Sequence, residues 1–169
     1  GYVSTIRNVG KVQNKGFELG VDGKIFTGPF IWNMSGNISF NRNEVIKLQD
    51  GEDIFGGNVN VLAVNDNVTI LREGRPIGQF YGYLENGYTD QGQIVIKDLN
   101  EDGLINAEDK TYIGDPNPDF IYGINSFMSF KNIELTLFIQ GTSGNDIYNV
   151  SSIPTTIDYG QGLNMPREV

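Results

Sequence analysis

The stretch FIWNMSGNISFN, Phe30 to Asn41, constrains the fold more than any other. Phe30, Trp32, Met34, Ile38 and Phe40 fall on one parity, and Asn33, Ser35, Asn37, Ser39 and Asn41 on the other. A period of two is a β-strand with one apolar and one polar face; a helix would bring i, i+3 and i+4 together instead. The preceding stretch GFELGVDGKIF, Gly16 to Phe26, alternates in the same way, with Phe17, Leu19, Val21 and Ile25 against Glu18, Asp22 and Lys24. Thr27-Gly28-Pro29 separates the two, and glycine and proline there suit a turn. The pair predicts an antiparallel hairpin with arms of about ten residues, the length a tilted strand needs to cross a bilayer.

A second hairpin is predicted from FIYGINSFMSF, Phe120 to Phe130, through a turn at Lys131-Asn132, to IELTLFIQG, Ile133 to Gly141. In its return arm Ile133, Leu135, Leu137 and Ile139 alternate with Glu134, Thr136, Phe138 and Gln140. Residues 42 to 118 are expected to form a long irregular surface loop with short local strands such as Gln93 to Lys97. The 22 glycines and 19 asparagines fit strands joined by tight turns, and neither an amphipathic helix nor a fixed repeat is evident. The expected class is therefore all-β and antiparallel. In a soluble sandwich the apolar faces would pack on another sheet; in a membrane barrel they would face lipid, with the polar faces lining a lumen. Two features favour the barrel: the polar faces are rich in asparagine, serine and glycine, and tiny turns at one end oppose a loop of about 75 residues at the other.

Charge and missing residue types narrow the function. Twelve Lys and Arg against 21 Asp and Glu give a net charge of −9, and nothing suggests a nucleic-acid binder, which would need a basic stripe to neutralise phosphates. There is no cysteine and no histidine, which removes thiolate chemistry, the commonest general base and the commonest zinc ligand. No two carboxylates are spaced as a glycosidase pair and no glycine-rich phosphate loop occurs, so no enzyme activity is expected. No apolar run approaches the length of a transmembrane helix, a criterion that is blind to barrel strands. The start, Gly1-Tyr2-Val3-Ser4, is neither a signal peptide nor a starting methionine, and the end, Pro166-Arg167-Glu168-Val169, suggests no terminal strand. A fragment at both ends is expected.

The run KDLNEDGLINAED, Lys97 to Asp109, has the twelve-residue spacing of a calcium loop. Asp98, Asn100 and Asp102 take positions 1, 3 and 5, Gly103 the sharp turn, the Leu104 carbonyl position 7, Asn106 position 9 and Asp109 position 12. These hard oxygen donors suit a structural Ca²⁺. Aspartate at position 12 has a shorter reach than the usual glutamate, so affinity is expected near ~10⁻⁴–10⁻³ M. The competing reading is a solvated acidic turn whose side chains cap local backbone groups. Phe80, Tyr81, Tyr83 and Tyr88 are expected to pack the long loop, the alternative being a platform for sugar rings.

Several collinear motifs resemble the late barrel of SusC/RagA-type TonB-dependent outer-membrane transporters. They are NVGKVQNKGFEL (Asn8 to Leu19), GRPIGQFYGY (Gly74 to Tyr83), and the run from Lys97 to Asn149 that contains IGDPNPDF, YG, the K-N turn, IQG and GNDIYN. The resemblance implies a 22-stranded barrel with an N-terminal plug, sited in the bacterial outer membrane with its long loop extracellular. It implies energised import of oligosaccharides or peptides, with a SusD-like lipoprotein as partner. TonB would engage parts of the protein outside this chain, which would supply a few barrel strands in contact with outer-membrane lipid. The alternatives are a secreted calcium-binding β-domain for adhesion or carbohydrate binding and, third, a fragment of a surface glycan hydrolase.

Overall fold

The computed structural model describes residues 10–61 and 64–152. Ten strands follow in chain order: β1 (Gly10–Thr27), β2 (Phe30–Leu48), β3 (Ile54–Val61), β4 (Val64–Leu71), β5 (Gln79–Gly82), β6 (Glu85–Tyr88), β7 (Ile94–Ile96), β8 (Thr111–Gly114), β9 (Phe120–Phe130) and β10 (Ile133–Ser143). Every pairing among them is antiparallel. The other regular elements among the described residues are single 3-10 turns at Ala107–Asp109 and Val150–Ser152. The all-β expectation holds.

The main sheet has the order β1-β2-β9-β10. Its register separates two faces, because directly paired residues share a side. Phe17 pairs with Phe40, Leu19 with Ile38 and Gly23 with Met34. The same side continues through Ile38↔Tyr122, Trp32↔Met128 and Phe30↔Phe130 to Leu135↔Met128 and Ile139↔Ile124. The other side carries Glu18, Asp22, Lys24, Asn33, Ser35, Asn37, Asn125 and Gln140, with Ile31, Ile121, Phe127 and Phe138 as its apolar exceptions. Ile25 falls in a bulge between Lys24 and Phe26, which lets Phe26 face Trp32. It still lines one apolar groove with Leu19, Val21 and Ile38.

The apolar face is uncovered. Phe17 is 62% exposed, Val21 64% and Ile133 73%, so the face is not the inside of a two-sheet sandwich among the described residues. Its indole N–H is the exception that is satisfied in place: Trp32 Nε1 donates to Ser126 Oγ at 2.9 Å, so two polar groups on this face pair with each other.

The turns after β1 and after β9 lie at one end of the sheet, because Thr27↔Ile31, Phe30↔Phe130 and Ile133↔Phe130 close together. Residues 49–119 leave and re-enter at the other end, between two strands that pair directly. The first hairpin is longer than predicted, since β1 starts at Gly10, next to undescribed Asn8 and Val9, and β2 runs on to Leu48. The return arm of the second hairpin runs to Ser143, two residues beyond Gly141.

The region from 49 to 119 is not irregular. It holds a four-stranded sheet, β3-β4-β5-β8, and the separate pair β6-β7. Its core is small and sits at the stem: Val45 and Leu48 of β2 are buried with Ile70 of β4, and Val59 of β3 is also buried. The stem is tied by backbone bonds from Val45 N–H to the Arg75 carbonyl (2.9 Å) and from Gly74 N–H to the Val45 carbonyl (2.8 Å).

Candidate functional site

The motifs that are far apart in sequence meet where the insertion joins the main sheet. Asn43 near the end of β2 donates through Nδ2 to Asn117 Oδ1 (2.6 Å) and accepts the Ile77 N–H on its own Oδ1 (2.6 Å). Asn117 Nδ2 reaches the Ile77 carbonyl (2.9 Å) and Asp115 Oδ1 (2.7 Å). Gln79 Nε2 donates to Asp115 Oδ2 (2.9 Å). From the far side of β10, Asp146 accepts the Asp115 N–H (2.8 Å), and its own N–H returns to the Asp115 carbonyl (2.7 Å). GRPIG, DPNPD and GND thus form one polar clasp around the end of β2. Gly144 makes the return possible, with φ of +85° and Asp119 against the space a Cβ would need. A cleft of about 400 Å³ lies beside the clasp, between Asn117 and Asp119 on one wall and Lys15, Arg42 and Glu44 on the other.

The acidic loop keeps all six predicted residues in one turn. Asp98 accepts the N–H groups of Glu101 and Gly103, each at 2.7 Å. Asn100 Oδ1 accepts from Asp102 N–H (3.2 Å), Asp102 Oδ1 from Leu104 N–H (2.7 Å) and Asn106 Oδ1 from Glu108 N–H (2.8 Å). Leu104 itself is 67% exposed. Asp109 is completely buried beneath the loop, clasping the N–H groups of Leu99 and Asn106 at 2.8 Å. The bonds from Asn106 and Leu99 hold its carboxyl below the ordinary carboxylate range, against the opposing effect of burial. Asn100 Nδ2 lies between Asp102 Oδ2 (3.1 Å) and Glu108 Oε2 (3.2 Å), where it offsets two negative charges. Among the described residues no three acidic side chains are gathered as a group that could hold a metal. The backbone bonds still leave lone pairs on the carboxylate oxygens, so the donor chemistry fits a hard cation even though the carboxylates are not converged.

The four aromatics do not share a surface. Phe80 packs on Tyr148, while Tyr81 lies between Phe55 and Tyr112. Tyr83 sits under the Lys110 ammonium, and Tyr88 is exposed. Packing is their common role, apart from Tyr88.

Over 179 aligned positions, 96% of this chain, the sequence is 34% identical to TonB-dependent receptor P3 of Formosa agariphila. Over 151 positions, 84% of the chain, it is 30% identical to TonB-dependent receptor SusC of Bacteroides thetaiotaomicron. The fold superposes on the RagAB peptide transporter with a TM-score of 0.67 and 23% identity, covering 81% of this chain.

The chain belongs to the SusC/RagA family of TonB-dependent receptors.

It spans 18% of the length of P3, 15% of SusC and 15% of the superposed transporter chain. No family model matches it. Sequence reasoning picked out the SusC/RagA motifs but not what they do in the fold. The signal was present in part: glycines and prolines beside asparagine and aspartate mark turns that bond to backbone. Asn43, which bonds both GRPIG and DPNPD, lies 74 residues from Asn117 and had no local signature.

Proposed function

We propose that these strands form part of the outer-membrane barrel of a TonB-dependent importer, with Phe17, Leu19, Val21, Trp32, Met34, Ile38, Leu135, Leu137 and Ile139 toward lipid. Glu18, Asp22, Lys24, Asn33, Ser35 and Asn37 then line the lumen. The observation that carries this is an uncovered apolar face with aromatic clusters at both ends. Phe26, Phe30 and Trp32 cluster beside the tight turns, and Phe40, Phe120 and Tyr122 at the opposite end. From Phe120 to Phe130 is ten steps, about 33 Å along the strand and about 25 Å across a bilayer at a tilt of about 40°, the height of a barrel's apolar band.

The tight turns are then periplasmic and residues 49–119 extracellular. The imported substrate is an oligosaccharide or a peptide, taken with a SusD-like lipoprotein and powered through TonB by parts of the protein outside this chain. The transport matches support this, one of them a peptide transporter by name. No residue here is assigned a catalytic role. The deciding experiment is performed in the full-length transporter. Leu19→Arg should cost about 2–4 kcal/mol of barrel stability if Leu19 lies at mid-membrane, and Asn37→Arg on the other face should cost far less. Equal costs would refute the assignment of faces.

A second reading concerns the loop from Asp98 to Asp109. Its Asx bonds and spare oxygen lone pairs support one structural Ca²⁺ held by Asp98, Asn100, Asp102, Asn106, Asp109 and the Leu104 carbonyl. Binding would require these groups to draw together, with the cation replacing Asn100 Nδ2 as the partner of Asp102. Protease cutting within residues 90–112 should slow on going from chelator to several millimolar calcium, since affinity near ~10⁻⁴–10⁻³ M is expected of extracellular loops. Unchanged cutting identifies a self-satisfied acidic turn.

A further inference from the structure

Past the aromatic end of the apolar face, away from the tight turns, the first hairpin continues. On the side that carries Phe17, β1 next presents Lys15, then Gln13, then Lys11. The register sets these opposite Arg42, Glu44 and Lys47. Two of the three rows therefore place like charges directly across from each other, which is unfavourable unless another group offsets the repulsion. Four cations share this strip with one carboxylate, in a chain whose net charge is −9.

No ion pair among the described residues neutralises these four cations. Lys11, Lys15, Arg42 and Lys47 are all exposed. Both ion pairs among the described residues lie in the insertion, Arg72–Asp53 and Lys110–Asp66, and none of the four cations takes part. Glu44 lies within the strip, Asp115 and Asp119 line the same cleft, and Glu73 accepts the Leu48 N–H beside Lys47 (2.7 Å). Asp115 is already engaged by Gln79 and Asn117.

We propose that this strip binds the phosphate of anionic lipid headgroups. The inference rests on the membrane placement given above. Phe17 and Phe40 end the apolar band, and Lys15 and Arg42 follow two residues later, about 7 Å along the strand. At a tilt of about 40° that is about 5 Å beyond the band, within the headgroup layer of roughly 5–7 Å that flanks the hydrocarbon core on each side. The Arg42 guanidinium offers a planar fork to two phosphate oxygens, and Lys15 adds a point charge. Lys11 and Lys47 lie further out and attract the headgroup without reaching the acyl boundary.

The test uses the full-length transporter in bilayers of phosphatidylcholine containing one part in ten of phosphatidylglycerol. The lipid retained on gentle detergent extraction is measured by native mass spectrometry. The wild type should retain phosphatidylglycerol several-fold above its share of the bilayer. Lys15→Gln with Arg42→Gln should remove most of that enrichment, Lys15→Arg should keep it, and Lys24→Gln on the opposite face should not change it. Millimolar inorganic phosphate should leave the retained lipid in place; displacement would make free phosphate the ligand and overturn the proposal. So would a wild type without enrichment, or a double variant that keeps it. A spin label at Leu19→Cys separates the two levels. If the label is reached by oxygen from the acyl layer while enrichment is absent, only the headgroup site is wrong. If the label is in water, the membrane placement fails with it.

Discussion

Lys131 is one of two non-glycine residues with positive φ among those described, at 55°. It occupies the first central position of the two-residue turn between β9 and β10, and only that position is left-handed. Such a turn prefers glycine there, because a Cβ crowds the following carbonyl. Lys131→Gly should therefore stabilise the hairpin by about 1 kcal/mol, less whatever is lost when the Lys131 ammonium leaves the Phe130 ring, 5.3 Å away. Unfolding titrations of the full-length protein would show it. Gly144 is the opposite case: φ is +85° and Asp119 fills the space beside it. Gly144→Ala should loosen the clasp by about 1–3 kcal/mol, read as faster hydrogen exchange at the amides of Asp115 and Asp146.

At the scale of elements, two ion pairs hold the β3–β4 hairpin. Arg72 closes its mouth on Asp53, and Lys110 ties Asp66 to the start of β8. The Arg72 guanidinium lowers the carboxyl of Asp53, and the Lys110 ammonium lowers that of Asp66. A carboxyl with a depressed folded value adds stability above its unfolded value, near 3.9, and loses it as pH falls through the folded value. Acidification below about pH 4 should thus loosen the insertion before the main sheet, visible as hydrogen exchange rising first across residues 54–71. Exposure of both pairs keeps the effect modest.

How far these elements were legible follows from periodicity. Over Gly16–Phe26, Phe30–Asn41 and Phe120–Gly141 one face is apolar, and alternation identifies strand and side together. In Gly10–Lys15 and Arg42–Leu48 both sides carry polar groups, so the same strands continue without a pattern to reveal them. Strands β5 to β8 have three or four residues each, too few to establish a period. The residues of the acidic loop are legible in its spacing, but the burial of Asp109 depends on Leu99 and Asn106 closing over it, which spacing alone does not convey.

At the scale of the whole molecule, the strongest coupling is between the sheet and its insertion, through Asn43. Asn43→Ala and Asn117→Ala should each cost about 0.5–1.5 kcal/mol by removing bonds at this half-buried joint, and the double variant should cost less than the sum. Additive losses would show that the two amides act separately. The effect should appear in the order of the insertion, with the barrel strands still paired.

The insertion also leaves and returns at neighbouring strands, and within it the Lys97 N–H bonds the Leu84 carbonyl at 2.8 Å. The separate pair β6-β7 therefore departs from two points already held side by side. Replacing residues 85–96 by a short glycine linker should leave assembly of the sheet intact. A chain wired in this way can change this strand pair by insertion, deletion or exchange while its main sheet is inherited unaltered, so divergence among relatives should collect there and spare the hinge of asparagines.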